Sequence, residues 1–326
     1  MINNKHAGNI LVAVLLAVYA VVPFVMTSQT WLGFAINIMI FSLLGIAWNI
    51  TGGFGGLMSF GHAVLFGTGA YASAMLQIRL GVDPWLASAA GIAAGAVVGC
   101  FIGALSFRYG LRGSYFALVT LAFAEVFRVL ASSFDITGGG QGLSVPLKAT
   151  VANLQFADRL HNYAFVLILV LIGLAVSVVV RRSRFGSYLI AVRENEEAAK
   201  ALGINTFRVK VLAMTLSGAI AGAAGMAYLQ TYLFVDAHIA FGTMMSFEAL
   251  LGPIIGGAGT ILGPIVGAVV LHSMGEAARG LIGGAPGMNL VFYGLVLLAI
   301  LRFLPDGLMG LAHRLNARGS QTGKEK

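Results

Sequence analysis

Apolar residues run through this sequence in long, nearly unbroken stretches, without the regular polar positions of soluble helices and strands. About 20 apolar residues in a helix are enough to cross the hydrocarbon core of a bilayer. The apolar segments cover residues 9–26, 31–50, 60–77, a stretch from the turn at 83–85 to 107, 115–131, 163–180, 211–233, 244–256, 261–278 and 288–303. We therefore predict an all-α polytopic membrane protein of about ten transmembrane helices, with residues 1–326 forming one transmembrane domain.

Two Gly-rich passages, Thr51–His62 and Gly252–Pro264, interrupt this apolar pattern. Backbone groups freed by a break in a membrane helix must face protein or a water-filled cavity. One hypothesis is that both passages lie near the translocation path or its gate, and the alternative is close helix packing through small residues. The candidate path residues are Gly53, Ser59, His62, Glu248 and Gly257.

Composition supports the membrane assignment. Hydrophobic residues make up 58% of the 326 residues and charged residues only 10%, outside the range of ordinary soluble domains. The single cysteine, Cys100, excludes an internal disulfide and indicates no metal cluster. The net charge of +8 does not indicate a nucleic-acid partner, because the basic residues flank apolar spans.

Basic residues also predict the orientation of the chain. With ten spans and the amino terminus in the cytoplasm, most of the 20 Lys and Arg residues fall inside, including a long loop at 181–210 and a short tail at 304–326. Nine spans would put the basic tail outside. We therefore expect both termini to be cytoplasmic.

The loop at 181–210 contains a predicted short helix. Asn195 can cap its amino terminus, and Glu196 and Glu197 favour the positive end of the helix dipole. Gly203 can stop it in a left-handed conformation. The helix is expected to be exposed and to have defined ends.

Such a helix has little to bury within its own loop. Its apolar positions Ala198, Ala201 and Leu202 therefore indicate docking into another protein. The alternative is a solvated loop that contacts nothing.

The residues Glu197-Ala198-Ala199 and Gly203 resemble the EAA-x-x-x-G signature of ABC importer permeases, whose loop docks on a cytoplasmic ATPase. The longer run from Arg193 to Lys210 resembles permeases of the branched-chain amino acid class. The resemblance implies a set of ATPase-coupling residues. They are Asn195, Glu196, Glu197, Ala198, Ala199, Leu202 and Gly203.

The resemblance extends over most of the chain, roughly residues 37–308. The segments 115–125, 137–143 and 185–228 are similar to the M-type permease subunit of leucine, isoleucine and valine ABC importers. This implies a ten-span fold of the vitamin B12 importer type, in a bacterial inner membrane. The segments do not define the substrate, since related permeases handle branched-chain and other amino acids, amides and urea.

Family resemblance also implies partners: an extracytoplasmic amino-acid-binding protein, a second, H-type permease chain and two ATPase chains. The sequence has no G-x-x-x-x-G-K-[ST] phosphate loop, so ATP and Mg²⁺ are expected on the ATPases and no cofactor in this chain. Asp135 and Gln141, in a predicted outer loop, are candidates for docking the binding protein. The alternative there is a connecting loop with turn-forming glycines.

Ionisable residues inside apolar segments leave a second function open, an ion-coupled secondary transporter of a small solute. They are Glu125, Arg128, His62, Glu248, His272 and Glu276. Spacing predicts two pairs, Glu125 with Arg128 and His272 with Glu276, for which a structural role at the membrane boundary is favoured. His62 is expected to bond a neighbouring backbone carbonyl or to line a path. No H-E-x-x-H or G-x-S-x-G motif indicates an enzyme.

Overall fold

The computed structural model describes residues 28–148, 150–156 and 158–282, with positions 291, 294, 298, 302 and 307–310. The predicted span 9–26, most of the predicted span 288–303 and most of the tail 304–326 lie outside the described residues. Within them the helices are α1 (Gln29–Trp48), α2 (His62–Leu80), α3 (Pro84–Arg108), α4 (Gly113–Ser133), α5 (Arg159–Arg182), α6 (Arg184–Glu194), α7 (Glu196–Ala201), α8 (Thr206–Tyr232), α9 (Ala237–Ala240), α10 (Thr243–Gly256) and α11 (Gly263–Ile282).

Every predicted apolar segment that falls within the described residues forms a helix. Six stretches of this part are long and apolar enough to cross a membrane, and α2 and α11 are not among them. The only described strands, β1 (Leu143–Ser144) and β2 (Phe234–Val235), form one short antiparallel pair. The protein is therefore a helical, polytopic membrane protein.

The Gly-rich passage Thr51–His62, predicted as an interruption, does not end the helix at Thr51. It continues the helix as a π-helix over Asn49–Phe54, with all six residues buried. A side chain at Gly52 would come within 2.5 Å of the Trp48 ring, so the glycine permits this wider winding. The indole Nε1 of Trp48 donates to the carbonyl of Ser59 at 2.9 Å, which holds the following segment against α1.

Helix α8 packs closely on α2 and α3 through small residues. A Cβ at Gly69 would meet the Gly222 carbonyl oxygen at 2.3 Å, and one at Gly95 would meet the Gly218 carbonyl oxygen at 2.4 Å. No larger residue fits these crossings. Such close approach provides the van der Waals contact that holds helices together in lipid.

The loop at 181–210 lies at one end of the helix bundle, here called the loop end. Arg112, just before α4, contacts Glu196 of this loop, and α4 then leads to Asp135 at the other end. Helix α8 begins beside the loop at Thr206 and has 27 residues, or about 40 Å at 1.5 Å per residue. Strand β2 directly follows α8, so the β1–β2 pair marks the opposite, far end.

Candidate functional site

The short helix of the basic loop, α7, is hereafter called the loop helix. The side-chain oxygen of Asn195 accepts from the backbone N–H of Ala198 at 3.0 Å, and Gly203 follows the helix with φ of 83°. The predicted helix, with its cap and its left-handed stop, is confirmed. These local signals set where the helix begins and ends.

One face of the loop helix is bound to the permease itself. Glu196 accepts from the Lys210 ammonium at 2.8 Å and from the Thr206 hydroxyl at 3.2 Å, and its other oxygen lies 3.2 Å from Arg112. Ala199 is 2% exposed. The helix is expected from the sequence to bury little surface, and this is wrong for Glu196 and Ala199. Lys210 of α8 and Arg112 before α4 form ion pairs with Glu196 and hold this face of the helix against the permease.

Electrostatics stabilise this anchoring. Partial burial of Glu196 acts to raise its pKa, but the hydrogen bond from Lys210 and the charges of Lys210, Arg112 and Lys200 outweigh it and lower the pKa. The hydrogen bond from Arg112, with help from Lys200, lowers the pKa of Glu197 as well. Both carboxylates are therefore charged at neutral pH.

The opposite face of the loop helix is open. Leu202 is 82% exposed, the Glu197 side chain is 67% exposed, and Ala198 is also exposed. Leu202 and Gly203 line a largely apolar hollow of about 540 Å³, together with Phe185 and Tyr188 of α6. An exposed apolar side chain beside such a hollow is typical of a protein-binding surface.

Two arginines connect the basic loop to the Gly-rich interruptions. The Nη1 of Arg193, in α6, donates to the carbonyl of Gly53 at 2.9 Å. The Nη1 of Arg181, at the end of α5, donates to the carbonyl of Gly259 at 3.0 Å. Both interruptions are therefore held by side chains that flank the loop helix.

The π-helix Asn49–Phe54, which overlaps the first interruption, also binds the second interruption. The amide of Asn49 accepts from the N–H of Gly259 and donates to the carbonyl of Thr260, both at 2.8 Å. A Cβ at Gly53 would meet Asn49 Oδ1 at 2.0 Å and the Gly259 nitrogen at 2.5 Å, and Gly257 has φ of 123°. We call these five residues the glycine junction. It contains two predicted path residues, Gly53 and Gly257.

His62 and Ser59 lie in the packed interior, at 0% and 1% exposure. The Nε2 of His62 lies 2.9 Å from the Ser217 hydroxyl and Nδ1 lies 3.2 Å from the Ser59 hydroxyl. Ser217 donates to the Ala47 carbonyl at 2.7 Å, so Nε2 is the protonated nitrogen. The expected bond from His62 to a neighbouring carbonyl is thus wrong; two hydroxyls bind its ring instead.

Glu248 lines a cavity of about 490 Å³ toward the far end, which we call the acidic cavity. His272 and Glu276, which the sequence favours as a structural pair at the membrane boundary, line the same cavity. His272 Nδ1 lies 3.1 Å from the Ala268 carbonyl, and a bond between His272 and Glu276 stays a prediction. Packing of α10 against α11 thus places three separately predicted ionisable residues around one space.

A second cavity of about 570 Å³ adjoins the first and shares Phe34, Asn37 and Tyr232 with it. Sequence reasoning missed its two most informative residues, Arg159 and Gln230. A glutamine near the end of the apolar helix α8 was the available signal. We call this space the amide cavity.

Other predicted residues are placed as follows. Arg128 Nε donates to Glu125 at 2.9 Å, which confirms that pair, and Arg128 Nη1 also lies 3.1 Å from His238 on the acidic cavity.

Asp135 and Gln141 are both exposed at the far end, where Arg79 donates to the Asp135 carbonyl at 3.1 Å. Their docking role stays a prediction.

The arrangement combines an exposed helix at one end, a bonded junction within the bundle and polar cavities toward the other end. Residues 30–301 match the sequence model of a family described as the branched-chain amino acid transport system, permease component. The chain belongs to this permease family. The predicted resemblance to branched-chain amino acid ABC permeases is confirmed.

The permease is 31% identical over 289 residues to the LivM permease protein of Salmonella typhimurium, a match that covers 81% of this chain and 67% of that protein. It is 32% identical to LivM of Escherichia coli K12, covering 79% of this chain and 65% of that protein. It is 26% identical to LivH of Salmonella typhimurium, a match that covers 83% of this chain and 91% of that protein. The chain thus spans about two thirds of the LivM proteins. No solved structure matches it.

Proposed function

We propose that this permease is one of two membrane subunits of an ATP-driven, binding-protein-dependent importer of branched-chain or other small amino acids. The observation that carries the proposal is the link from the exposed loop helix to the glycine junction through Arg193 and Arg181. A loop that binds an external motor needs such a connection to move the path. Family membership and similarity to both LivM and LivH support two permease chains in one complex.

In this proposal, an ATPase docks on Glu197, Ala198, Leu202 and the apolar hollow beside them. Glu196 and Ala199 do not contact the ATPase but hold the loop helix on the permease, so that force on the helix reaches α5, α6 and α8. Closure of two ATPases around ATP and Mg²⁺ then tilts these helices. The glycine junction opens or closes in response, because both of its segments are bonded to arginines that move with the loop.

Solute enters from the far end. The acidic and amide cavities lie on that side of the glycine junction, as expected of a path closed toward the ATPases. A binding protein releases its amino acid there after docking at the surface that includes Asp135 and Gln141. The loop end faces the cytoplasm in this scheme, both termini are cytoplasmic, and ten spans fold as in vitamin B12 importers, in a bacterial inner membrane.

A second candidate function is an ion-coupled secondary transporter. The observation in its favour is that Glu248, His272 and Glu276 all line the acidic cavity, a grouping that proton relays use. Such a carrier would work without nucleotide hydrolysis. Uptake driven by a pH gradient in liposomes that contain the permease without ATPases would support it and contradict the importer.

The experiment that tests the importer is reconstitution of the complete complex, with leucine uptake and ATP hydrolysis measured together. Glu197→Lys should reduce uptake per ATP about tenfold, since it puts a like charge beside Arg112 and Lys200 on the docking face. Arg182→Glu, also on the loop but outside the loop helix, is the matched control. Coupled uptake by Glu197→Lys at the wild-type rate would contradict the docking role.

A further inference from the structure

Gln230 is a buried amide whose polar atoms have no hydrogen-bond partner in the described part of the chain. The residue is 4% exposed, and both Oε1 and Nε2 are buried without a partner there. Buried polar groups nearly always make hydrogen bonds, and exceptions call for a specific reason such as a ligand. Gln230 lines the amide cavity, so an occupant of that space could satisfy it.

Polar side chains from different helices line the same cavity. Asn162 of α5 donates to the hydroxyl of Thr231 on α8 at 3.3 Å, and Gln155, whose amide accepts from the Lys148 N–H and donates to the Pro146 carbonyl, also lines the cavity. Together with Gln230 these groups supply several donors and acceptors to one space. Ligand sites typically combine apolar walls with a few convergent polar groups of this kind.

Arg159 adds a positive charge to this wall. Its Nη1 donates to the Gln29 carbonyl at 2.8 Å, which fixes the guanidinium against the start of α1. A Cβ at Gly33 would lie 2.5 Å from the same nitrogen, so the glycine leaves room for it. No Asp or Glu lines this cavity among the residues that the structure describes. A guanidinium next to amide donors is suited to a carboxylate.

The adjoining acidic cavity has acidic side chains in its wall. It is lined by Glu248 and Glu276 and, among the side chains that the structure describes, by no Lys or Arg. Asn37 and Tyr232 separate the two spaces, with the Tyr232 hydroxyl donating to the Asn37 side chain at 3.2 Å. A zwitterion placed at this pair would have its negative group toward Arg159 and its positive group toward the carboxylates.

We propose that the amide cavity binds the carboxylate of a free amino acid through Arg159 and Gln230, with the amino group directed to the acidic cavity. The proposal rests on the importer function and extends it by naming the chemical group that the path recognises. The site would also discriminate against solutes without a carboxylate, which offer no anionic group to the guanidinium of Arg159.

Labelling protection tests the site without any transport. In a Cys100→Ser background, Asn162→Cys places a reactive thiol in the cavity wall of the assembled complex. Millimolar leucine should slow its reaction with a small maleimide about threefold or more, whereas leucinamide, which has the amino group but no carboxylate, should not. Equal labelling rates with and without leucine would contradict the site. Because no ATP is needed, this result is independent of the importer assignment.

Uptake by variants provides the second test. Gln230→Leu and Arg159→Gln should each lower leucine uptake per ATP about tenfold, while hydrolysis stimulated by the loaded binding protein stays within about twofold of wild type. Gln77→Leu is the matched control, since Gln77 also has an amide without a partner in the described part but does not line the amide cavity. Wild-type uptake by both cavity variants would overturn this site and leave the importer function intact. Failure of the wild-type complex to couple uptake to ATP would count against the importer instead.

Discussion

The guanidinium of Arg193 donates to the carbonyl oxygen of Gly53 at 2.9 Å, although 140 positions separate these residues in the sequence. The same side chain pairs with Glu194 through Nη2 at 2.6 Å. Arg193 therefore joins the helix before the loop helix to the glycine junction. Movement of the loop cannot leave the junction unchanged unless this bond breaks.

Arg193→Lys tests that connection. Lysine keeps the charge but lacks the planar guanidinium that bonds Gly53 and Glu194 at the same time. We therefore expect ATP hydrolysis to continue while leucine uptake falls about tenfold. The measurement is uptake per ATP hydrolysed in proteoliposomes. Arg182→Lys is the control and should leave this ratio unchanged. A normal ratio in Arg193→Lys would show that the bond transmits no force.

Gly53→Ala tests the packing of the junction. A Cβ there would overlap Asn49 Oδ1 and the Gly259 nitrogen, which a hydrogen bond of 2.8 Å joins to each other. We expect a loss of about 1–3 kcal/mol in the free energy of unfolding, typical of overpacking. A lower melting temperature of the purified complex would report it. Gly140→Ala, where an added Cβ meets nothing within 4 Å, should melt as wild type.

The ion pairs of Glu196 predict a pH dependence. Its pKa is lower in the folded protein than its ordinary value of 4.5, so its stabilising contribution is present above 4.5 and is lost as pH falls through the lowered value. Glu196→Gln should therefore lower the melting temperature at pH 7, and the difference from wild type should shrink in acid. A difference in melting temperature that is as large in acid as at pH 7 would contradict the ion-pair explanation.

Leu202→Cys tests which surface meets the ATPase. Leu202 is 82% exposed, so a thiol at this position should react quickly with a maleimide in membranes stripped of ATPases. Adding the ATPases back should slow the reaction about tenfold or more. Ser187→Cys, exposed in α6, is the comparison position. Equal reaction rates at Leu202→Cys with and without ATPases would contradict docking on this face.

His62→Gln distinguishes a structural histidine from a proton relay. Glutamine can still bond Ser59 and Ser217, so we expect uptake within about twofold of wild type and only a modest fall in melting temperature. His62→Leu removes both bonds, so the buried hydroxyls of Ser59 and Ser217 each lose a hydrogen-bond partner. This variant should have a clearly lower melting temperature. Loss of uptake in His62→Gln at unchanged stability would favour the ion-coupled alternative.

Local signals in the sequence were enough to predict the positions of the helices. Bilayer thickness requires long apolar stretches, so the spans from 31–50 to 261–278 could be read directly. The ends of the loop helix followed from Asn195 and Gly203, because capping depends on residues within one turn. The pair Glu125–Arg128 could also be predicted, since residues three apart share a helix face.

Only the tertiary structure decided which of these elements meet. Asn49 binds Gly259 across 210 positions, Lys210 turns Glu196 inward, and Gln230 faces a cavity that α1 and α5 complete. In a chain where nearly every face is apolar, hydropathy does not distinguish the side of a helix that meets another helix from the side that meets lipid. Contacts between distant residues depend on shape and on the placement of a few polar groups, and neither leaves a periodic pattern in the sequence.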